Sequence, residues 1–167
     1  MSIQSYIQPW QGTAVRHIPK QTERQYDIYD FSYAGRSAEN RWNLQGETTL
    51  YLAKEKNVAL AEYARHFQVD RSPHLARKIH ERIVYRFDVR LEQVLNLCRS
   101  AIWQELSLTN APSCFQNRDI ARACANFIRY TTPATAIFVP SVAFLDDVEQ
   151  WCLVLFLEKL PSDVREF

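Results

Sequence analysis

An arginine, a tyrosine and a glutamate fall at even steps in the first half of the chain. Arg41, Tyr51 and Glu62 are ten and eleven residues apart. A guanidinium pairs with phosphate and an aromatic face attracts a cationic ring, so these groups together suit a cationic ring ligand that carries phosphates. The spacing alone leaves a second interpretation open, in which Glu62 pairs with Arg65 or His66 on a solvated helix face.

A short strand, a turn and a helix must position these three residues. The segment Thr48–Ala53 has the composition of a strand and follows a turn at Gly46. A helix is predicted over Val58–Phe67, with Asn57 as its N-cap. The apolar residues that share one face of this helix, and should pack on the sheet, are Leu60, Tyr63, Ala64 and Phe67. Glu62 lies away from that stripe.

The rest of the chain mixes strands and helices. Apolar or alternating runs predict strands at Thr13–Ile18, Arg82–Arg90, Val94–Cys98, Ala136–Val142 and Cys152–Lys159, the last two as central strands. Helical spacing predicts helices at residues 73–81, Ala101–Leu106 and Arg118–Tyr130, the last capped by Asn117. Because these elements show no regular β-α-β alternation, we expect an α+β fold with a twisted, mixed, partly antiparallel sheet and flanking helices.

Length and composition bound the class of protein. The 167 residues suit one domain, with residues 1–12 as an extended lead-in, and the hydrophobic share of 47% is typical of a folded chain. The formal charge of +1 argues against direct nucleic-acid binding. The sequence has no apolar run of membrane-spanning length and no leader pattern, so we expect a soluble, cytoplasmic protein.

The cysteines and histidines show no metal-ligand or catalytic pattern. Free thiols in a reducing compartment are predicted at Cys98, Cys114, Cys124 and Cys152, which are not closely paired. The four histidines form no HExxH motif and no convincing triad with serine or cysteine. The glycine-rich phosphate loops of the common nucleotide-binding folds do not occur. We therefore expect no metal, and a bound nucleotide must be held by side chains.

Five short motifs follow one another along the chain: GTAVRH, NRWNLQG, TLYLA, ALAEYARH and VPSV. Together they resemble the RES domain, a family named for its Arg, Glu and Ser signature, over about residues 12–160. The resemblance implies a fold like the catalytic core of ADP-ribosyltransferase toxins. It also implies the activity of those toxins of bacterial toxin–antitoxin pairs that degrade NAD⁺.

The resemblance assigns roles to five residues. The two family arginines match Arg16 and Arg41, which would neutralise and orient the pyrophosphate of NAD⁺. Tyr51 would stack on the nicotinamide ring. Glu62 would grip the ribose and stabilise an oxocarbenium-like sugar while neutral nicotinamide departs. Ser141, within VPSV, would hydrogen-bond the ribose or hold Glu62 in place.

Two segments depart from the usual family pattern. Glu39 and Asn40 stand where members often have a doubled glycine. The segment after Ser141 lacks the asparagine and histidine that many members have. Beyond the matched positions, Asn43 could add a hydrogen bond near the substrate.

The expected function is therefore cleavage of the nicotinamide–ribose bond of NAD⁺, by hydrolysis or phosphorolysis, by the toxin of a toxin–antitoxin pair. Two alternatives stay open: a catalytically weak module of the same fold that binds a nucleotide or a protein, and a transferase that moves ADP-ribose onto a protein. The sequence has no helix-turn-helix segment, so the DNA-binding function of such a pair would belong to a separate antitoxin chain. Assembly as a homodimer is also open.

Overall fold

The computed structural model describes residues 2–20, 25, 27–70 and 81–162. The strands are β1 (Gln8–Pro19), β2 (Thr49–Ala53), β3 (Arg82–Asn96), β4 (Ala136–Pro140) and β5 (Trp151–Phe156). They close into a barrel in the order β1-β2-β5-β4-β3. The helices are α1 (Lys56–Asp70), α2 (Ser100–Glu105) and α3 (Arg118–Thr131), and 3₁₀ turns occupy Ile3–Tyr6, Ser113–Gln116 and Leu157–Lys159.

The strand pairing is mixed, which confirms the predicted α+β class. β3 and β4 run parallel, whereas the other neighbouring strands of the barrel are antiparallel. Every residue of β4 and the last four of β5 are buried, as expected for central strands. Closure of the sheet goes beyond the prediction, and it follows from the long pairing of β1 with β3.

Alternation along the strands gives the sheet two apolar faces. One face contributes Leu50, Leu52, Phe138, Leu153 and Leu155 to a buried cluster. The other contributes Ile137, Val139, Val154 and Phe156, which share a second cluster with Ala121 and Ile128 of α3. Tyr51 is directly paired with Val154 and therefore lies on this second face, because paired residues point to the same side of a sheet.

Two predicted strand boundaries are wrong. The predicted strands Arg82–Arg90 and Val94–Cys98 form the single strand β3. β1 begins at Gln8, inside the segment that was expected to be a lead-in. The cause is tertiary, since β1 and β3 pair as far as Gln8 and Val94. Hydrogen bonds to a partner strand stabilise polar stretches that local alternation does not mark.

Helix α1 starts earlier than predicted and buries a different face. Asn57 lies inside its first turn instead of capping it. Among the helix residues whose side chains are described, the buried ones are Val58 and Ala59, which share a small cluster with Ala53 of β2. The described residues of the predicted face are only half-buried: Leu60, Tyr63 and Ala64. Glu62 lies one turn after Val58 and therefore faces the barrel.

The other helices agree with the prediction. Asn117 caps α3, because its Oδ1 accepts hydrogen bonds from the backbone N–H groups of Asp119 and Ile120 at 2.9 and 3.4 Å. The helix predicted at residues 73–81 lies outside the described residues, apart from its last position. The four cysteines are free.

In the ranges described above, none of the helices has both the length and the apolar character needed to cross a membrane.

Gly35 marks a close approach between two parts of the loop that precedes β2. Its φ is +80°, and a Cβ at this position would lie 1.8 Å from the carbonyl oxygen of Glu47. Gly46 has a similar φ of +92°, but a Cβ there would meet nothing within 4 Å. A side chain at Gly46 would therefore meet only the strain of a left-handed backbone, whereas one at Gly35 would meet the same strain and a steric clash.

We expect Gly35→Ala to destabilise the protein much more than Gly46→Ala. Both variants place a side chain on a left-handed backbone, which costs about 1–2 kcal/mol. Gly35→Ala must in addition displace the backbone at Glu47. The free energy of unfolding in urea measures both costs. Equal losses in the two variants would contradict the close approach at Gly35.

Candidate active site

A cavity of about 350 Å³ lies where α1 and the loop before β2 meet the sheet. This volume is within the usual range for small-molecule pockets. Four of the six predicted site residues line the cavity: Arg16 of β1, Arg41 of the loop, Tyr51 of β2 and Glu62 of α1. The other two, Ser141 and Asn43, are buried at 1% and 0% exposure and do not line it.

The Glu62 carboxylate is held by the segment that follows β4. Its Oε1 accepts hydrogen bonds from Ser141 Oγ at 2.5 Å and from the backbone N–H of Ala143 at 3.1 Å. The backbone N–H of Ser141 donates to the carbonyl oxygen of Gln150 at 2.8 Å, which anchors this segment next to β5. Two donors far along the chain therefore orient the carboxylate at the wall of the cavity.

The Tyr51 hydroxyl joins β2 to the loop that precedes it. It donates a hydrogen bond to Asn43 Oδ1 at 2.6 Å and accepts one from the backbone N–H of Trp42 at 3.0 Å. Burial raises the pKa of Tyr51 above its usual value, so the phenol remains a donor at neutral pH. Both bonds restrict the orientation of the ring at the cavity.

Asn43 is buried next to Tyr51 and does not line the cavity. Its amide nitrogen donates to the carbonyl oxygens of Gly35 at 3.0 Å and Leu44 at 2.6 Å. Its Oδ1 accepts the hydrogen bond from Tyr51. The fully buried side chain thus links Tyr51 to the loop.

Arg41 is fixed by backbone carbonyls of the 3₁₀ turn before α3. Its Nη1 donates to Phe115 O at 3.0 Å and to Gln116 O at 2.8 Å. Arg122 of α3 reaches back to the same loop, where its Nε donates to Asn40 O at 2.9 Å. The loop is thus fastened to α3 at Asn40 and to the turn before α3 at Arg41.

Arg16 contacts two residues of the loop between β1 and β2. Its Nη1 donates to Ile28 O at 3.5 Å, and its guanidinium lies 5.3 Å from the centre of the Phe31 ring. Burial lowers the pKa of Arg16 from its usual value, while the negative charge of Asp30 opposes that shift. An arginine remains protonated under such conditions, so the cavity has a second fixed cation.

The family follows from a comparison of the whole sequence with protein-family models. The model of the RES domain matches residues 14–166. The chain belongs to the RES-domain family. This match confirms the resemblance predicted from the five motifs. A comparison with curated proteins found no match.

The fold of this RES-domain protein is similar to that of a solved chain. That chain occurs in the crystal structure of the M. tuberculosis MbcT–MbcA toxin–antitoxin complex, with a TM-score of 0.71 and 17% sequence identity. The match covers 96% of this chain and 84% of the other. At this identity the similarity shows a shared fold.

The cavity also contains residues to which the sequence assigned no role in the site: His17, Glu39, Asn40, Arg65 and Cys152. For Arg65 a signal existed, because it lies three positions after Glu62 on the same helix. His17 and Cys152 reach the cavity through the strand arrangement, which the local sequence does not reveal. Burial, with the nearby charge of Glu62, raises the pKa of Cys152 well above its usual value. Its thiol is therefore a poor nucleophile at neutral pH.

His17 is a neutral residue of the cavity at physiological pH. Its Nδ1 accepts a hydrogen bond from Arg82 Nε at 2.9 Å. The ring of Tyr63 packs edge-on against His17, with the centroids 5.2 Å apart. Burial, and then the positive charge of Arg82, lower the pKa of His17 from 6.5 to about 4. The imidazole is thus an acceptor for Arg82 and carries no charge at neutral pH.

We expect NMR titration of the folded protein to give His17 a midpoint near pH 4. Because the unfolded chain takes up the proton first as the pH falls, the free energy of unfolding should decrease from about pH 6.5 towards pH 4. Arg82→Met should raise the His17 midpoint only part of the way, since burial remains. A wild-type midpoint near 6.5 would show that water solvates the imidazole freely.

Proposed function

We propose that this RES-domain protein degrades NAD⁺ by cleaving the bond between nicotinamide and ribose. The observation that carries the proposal is the placement of Glu62, whose carboxylate is oriented by Ser141 and Ala143. Arg16 and Arg41 line the same cavity. A fixed carboxylate beside two cations that suit phosphate is the arrangement that this reaction needs.

The chemistry places its main demand on the ribose. In NAD⁺ the nicotinamide leaves as a neutral molecule, so its departure needs little acid catalysis. The main barrier is the positive charge that develops on the ribose, which gains oxocarbenium character as its bond to nitrogen breaks. Glu62 places negative charge beside that sugar and accepts a hydrogen bond from a ribose hydroxyl. Because the carboxylate is oriented before the ligand arrives, little reorganisation is needed in the transition state.

The other residues of the site bind and align the dinucleotide. Arg16 and Arg41 hold the pyrophosphate through charge-assisted hydrogen bonds. Tyr51 stacks on the cationic nicotinamide ring, an attraction of about 0.5–2 kcal/mol. Ser141 acts through Glu62, since it is buried and its hydroxyl donates to the carboxylate.

Two acceptors are compatible with this scheme. Water attacking the ribose carbon would give ADP-ribose, whereas inorganic phosphate would give ADP-ribose with a phosphate on the same carbon. Both routes release nicotinamide, so nicotinamide is the product that tests the shared step. The identity of the second product then distinguishes hydrolysis from phosphorolysis.

The proposal extends to a role as the toxin of a toxin–antitoxin pair. It is supported by the RES-domain match and by the fold shared with a chain of the MbcT–MbcA toxin–antitoxin complex. The partner would be a separate antitoxin protein with a helix-turn-helix, and it would block the cavity until NAD⁺ depletion is required. The substrate would be present in the cytoplasm, where the protein would act.

We expect the purified protein to release nicotinamide from NAD⁺ and Glu62→Gln to slow the release about 100-fold or more. Glutamine keeps the size of the side chain and can still accept the hydrogen bond from Ser141, so the variant removes mainly the negative charge. Nicotinamide is quantified by chromatography at saturating NAD⁺, with and without phosphate.

The matched control is Glu55→Gln, because Glu55 is exposed just before α1 and does not line the cavity. Its rate should equal that of the wild type. Equal rates for the wild type and Glu62→Gln would refute the proposal. Binding of NAD⁺ without release would favour a binding module, and labelling of a protein by labelled NAD⁺ would favour a transferase.

The same two variants connect the reaction to the role in cells. Induced expression of the wild type and of Glu55→Gln should lower cellular NAD⁺ and stop growth, whereas Glu62→Gln should do neither. Growth arrest by Glu62→Gln at equal protein levels would show that toxicity does not depend on cleavage of NAD⁺.

A further inference from the structure

Arg65 is a cation of the cavity wall that has no role in the scheme above. It lies on α1, three residues after Glu62 and seven after Val58, so the three side chains share one face of the helix. That face is buried at Val58 and opens into the cavity at Glu62 and Arg65. The helix therefore presents a carboxylate and a guanidinium to the same space, one turn apart.

Within the described part of the chain, the guanidinium of Arg65 has no hydrogen-bond or ion-pair partner. Glu62, the acidic residue one turn before it, directs its Oε1 to Ser141 and Ala143 instead. The solvated Glu62–Arg65 pair that the spacing alone allowed does not form there. A half-buried guanidinium without a partner loses hydration without a compensating interaction, which a bound anion would supply.

The other two arginines of the cavity are more constrained than Arg65. The Nη1 of Arg41 already donates hydrogen bonds to the carbonyl oxygens of Phe115 and Gln116. Arg16 donates to a loop carbonyl and stacks on Phe31. Arg65 thus has the largest number of unused donors. The cavity wall also has an excess of positive charge, with these three arginines against Glu39 and Glu62.

We propose that Arg65 binds a phosphate group of the dinucleotide, as a third substrate-binding arginine of the cavity. The inference rests on the proposed function for the identity of the ligand. A guanidinium presents two parallel donors to phosphate oxygens, which a single ammonium group cannot reproduce. Because Arg65 is one helical turn from Glu62, a phosphate held there belongs to the same bound dinucleotide whose ribose Glu62 contacts.

The test compares Arg65→Met and Arg65→Lys with the wild type. Arg90→Met is the matched control, because Arg90 is highly exposed on β3 and does not line the cavity. Calorimetry measures the affinity for inorganic pyrophosphate, a probe that needs no cleavage, and steady-state kinetics measure kcat and KM for NAD⁺. Thermal unfolding verifies that the variants are folded.

We expect Arg65→Met to weaken pyrophosphate binding and to raise the KM for NAD⁺ about 10-fold or more, with kcat changed less than about 2-fold. Arg65→Lys should recover part of the loss, and Arg90→Met should match the wild type. A raised KM with a nearly unchanged kcat is typical of a residue that binds the ground state and the transition state equally.

The outcomes distinguish this inference from the proposed function. If the wild type cleaves NAD⁺ and Arg65→Met retains its KM and pyrophosphate affinity, the role of Arg65 is refuted and the function stands. If the wild type binds pyrophosphate but does not cleave NAD⁺, and Arg65→Met binds pyrophosphate more weakly, the anion site stands and the proposed function is refuted. A wild type that binds no pyrophosphate and cleaves no NAD⁺ overturns both.

Discussion

Arg129 is a buried cation on which the position of the site loop depends. At 2% exposure, its Nη1 lies 2.7 Å from Glu47 Oε2, its Nε lies 3.3 Å from Glu158 Oε1, and its Nη2 donates to Thr49 Oγ1 at 2.6 Å. Of these contacts, the one to Thr49 has hydrogen-bond alignment, and the other two are ionic. Removing a charge from water costs several kcal/mol, which only well-placed partners offset. The end of the loop at Glu47 is thereby tied to α3 and the sheet.

The site is built on this frame by hydrogen bonds between its own residues. Asn43 and the Tyr51 hydroxyl connect the loop to β2, and Arg41 is fastened to the turn before α3. After β4, Ser141 orients Glu62. The cavity is therefore organised before any ligand arrives, and this is the condition under which fixed charges stabilise a developing cation most effectively.

The sequence predicted the elements better than their contacts. β2, β4, β5 and α3 have strong apolar patterns, and the family motifs drew attention to residues that the fold brings to one cavity. Local patterns could not show that α1 packs through Val58 and Ala59, because the larger side chains of Leu60 and Tyr63 dominate its apolar stripe. The orientation of Glu62, the burial of Asn43 and the single strand β3 all depend on partners far along the chain. Those contacts have no local signal.

The most direct test of the central claim is the kinetic effect of Ser141→Ala on NAD⁺ cleavage. If Ser141 works by orienting Glu62, kcat should fall about 10- to 100-fold while the KM for NAD⁺ stays near that of the wild type, because the hydroxyl contacts the carboxylate and Ser141 does not line the cavity. An unchanged kcat, or a raised KM with an intact kcat, would contradict the account of a carboxylate that is oriented for the reaction by Ser141.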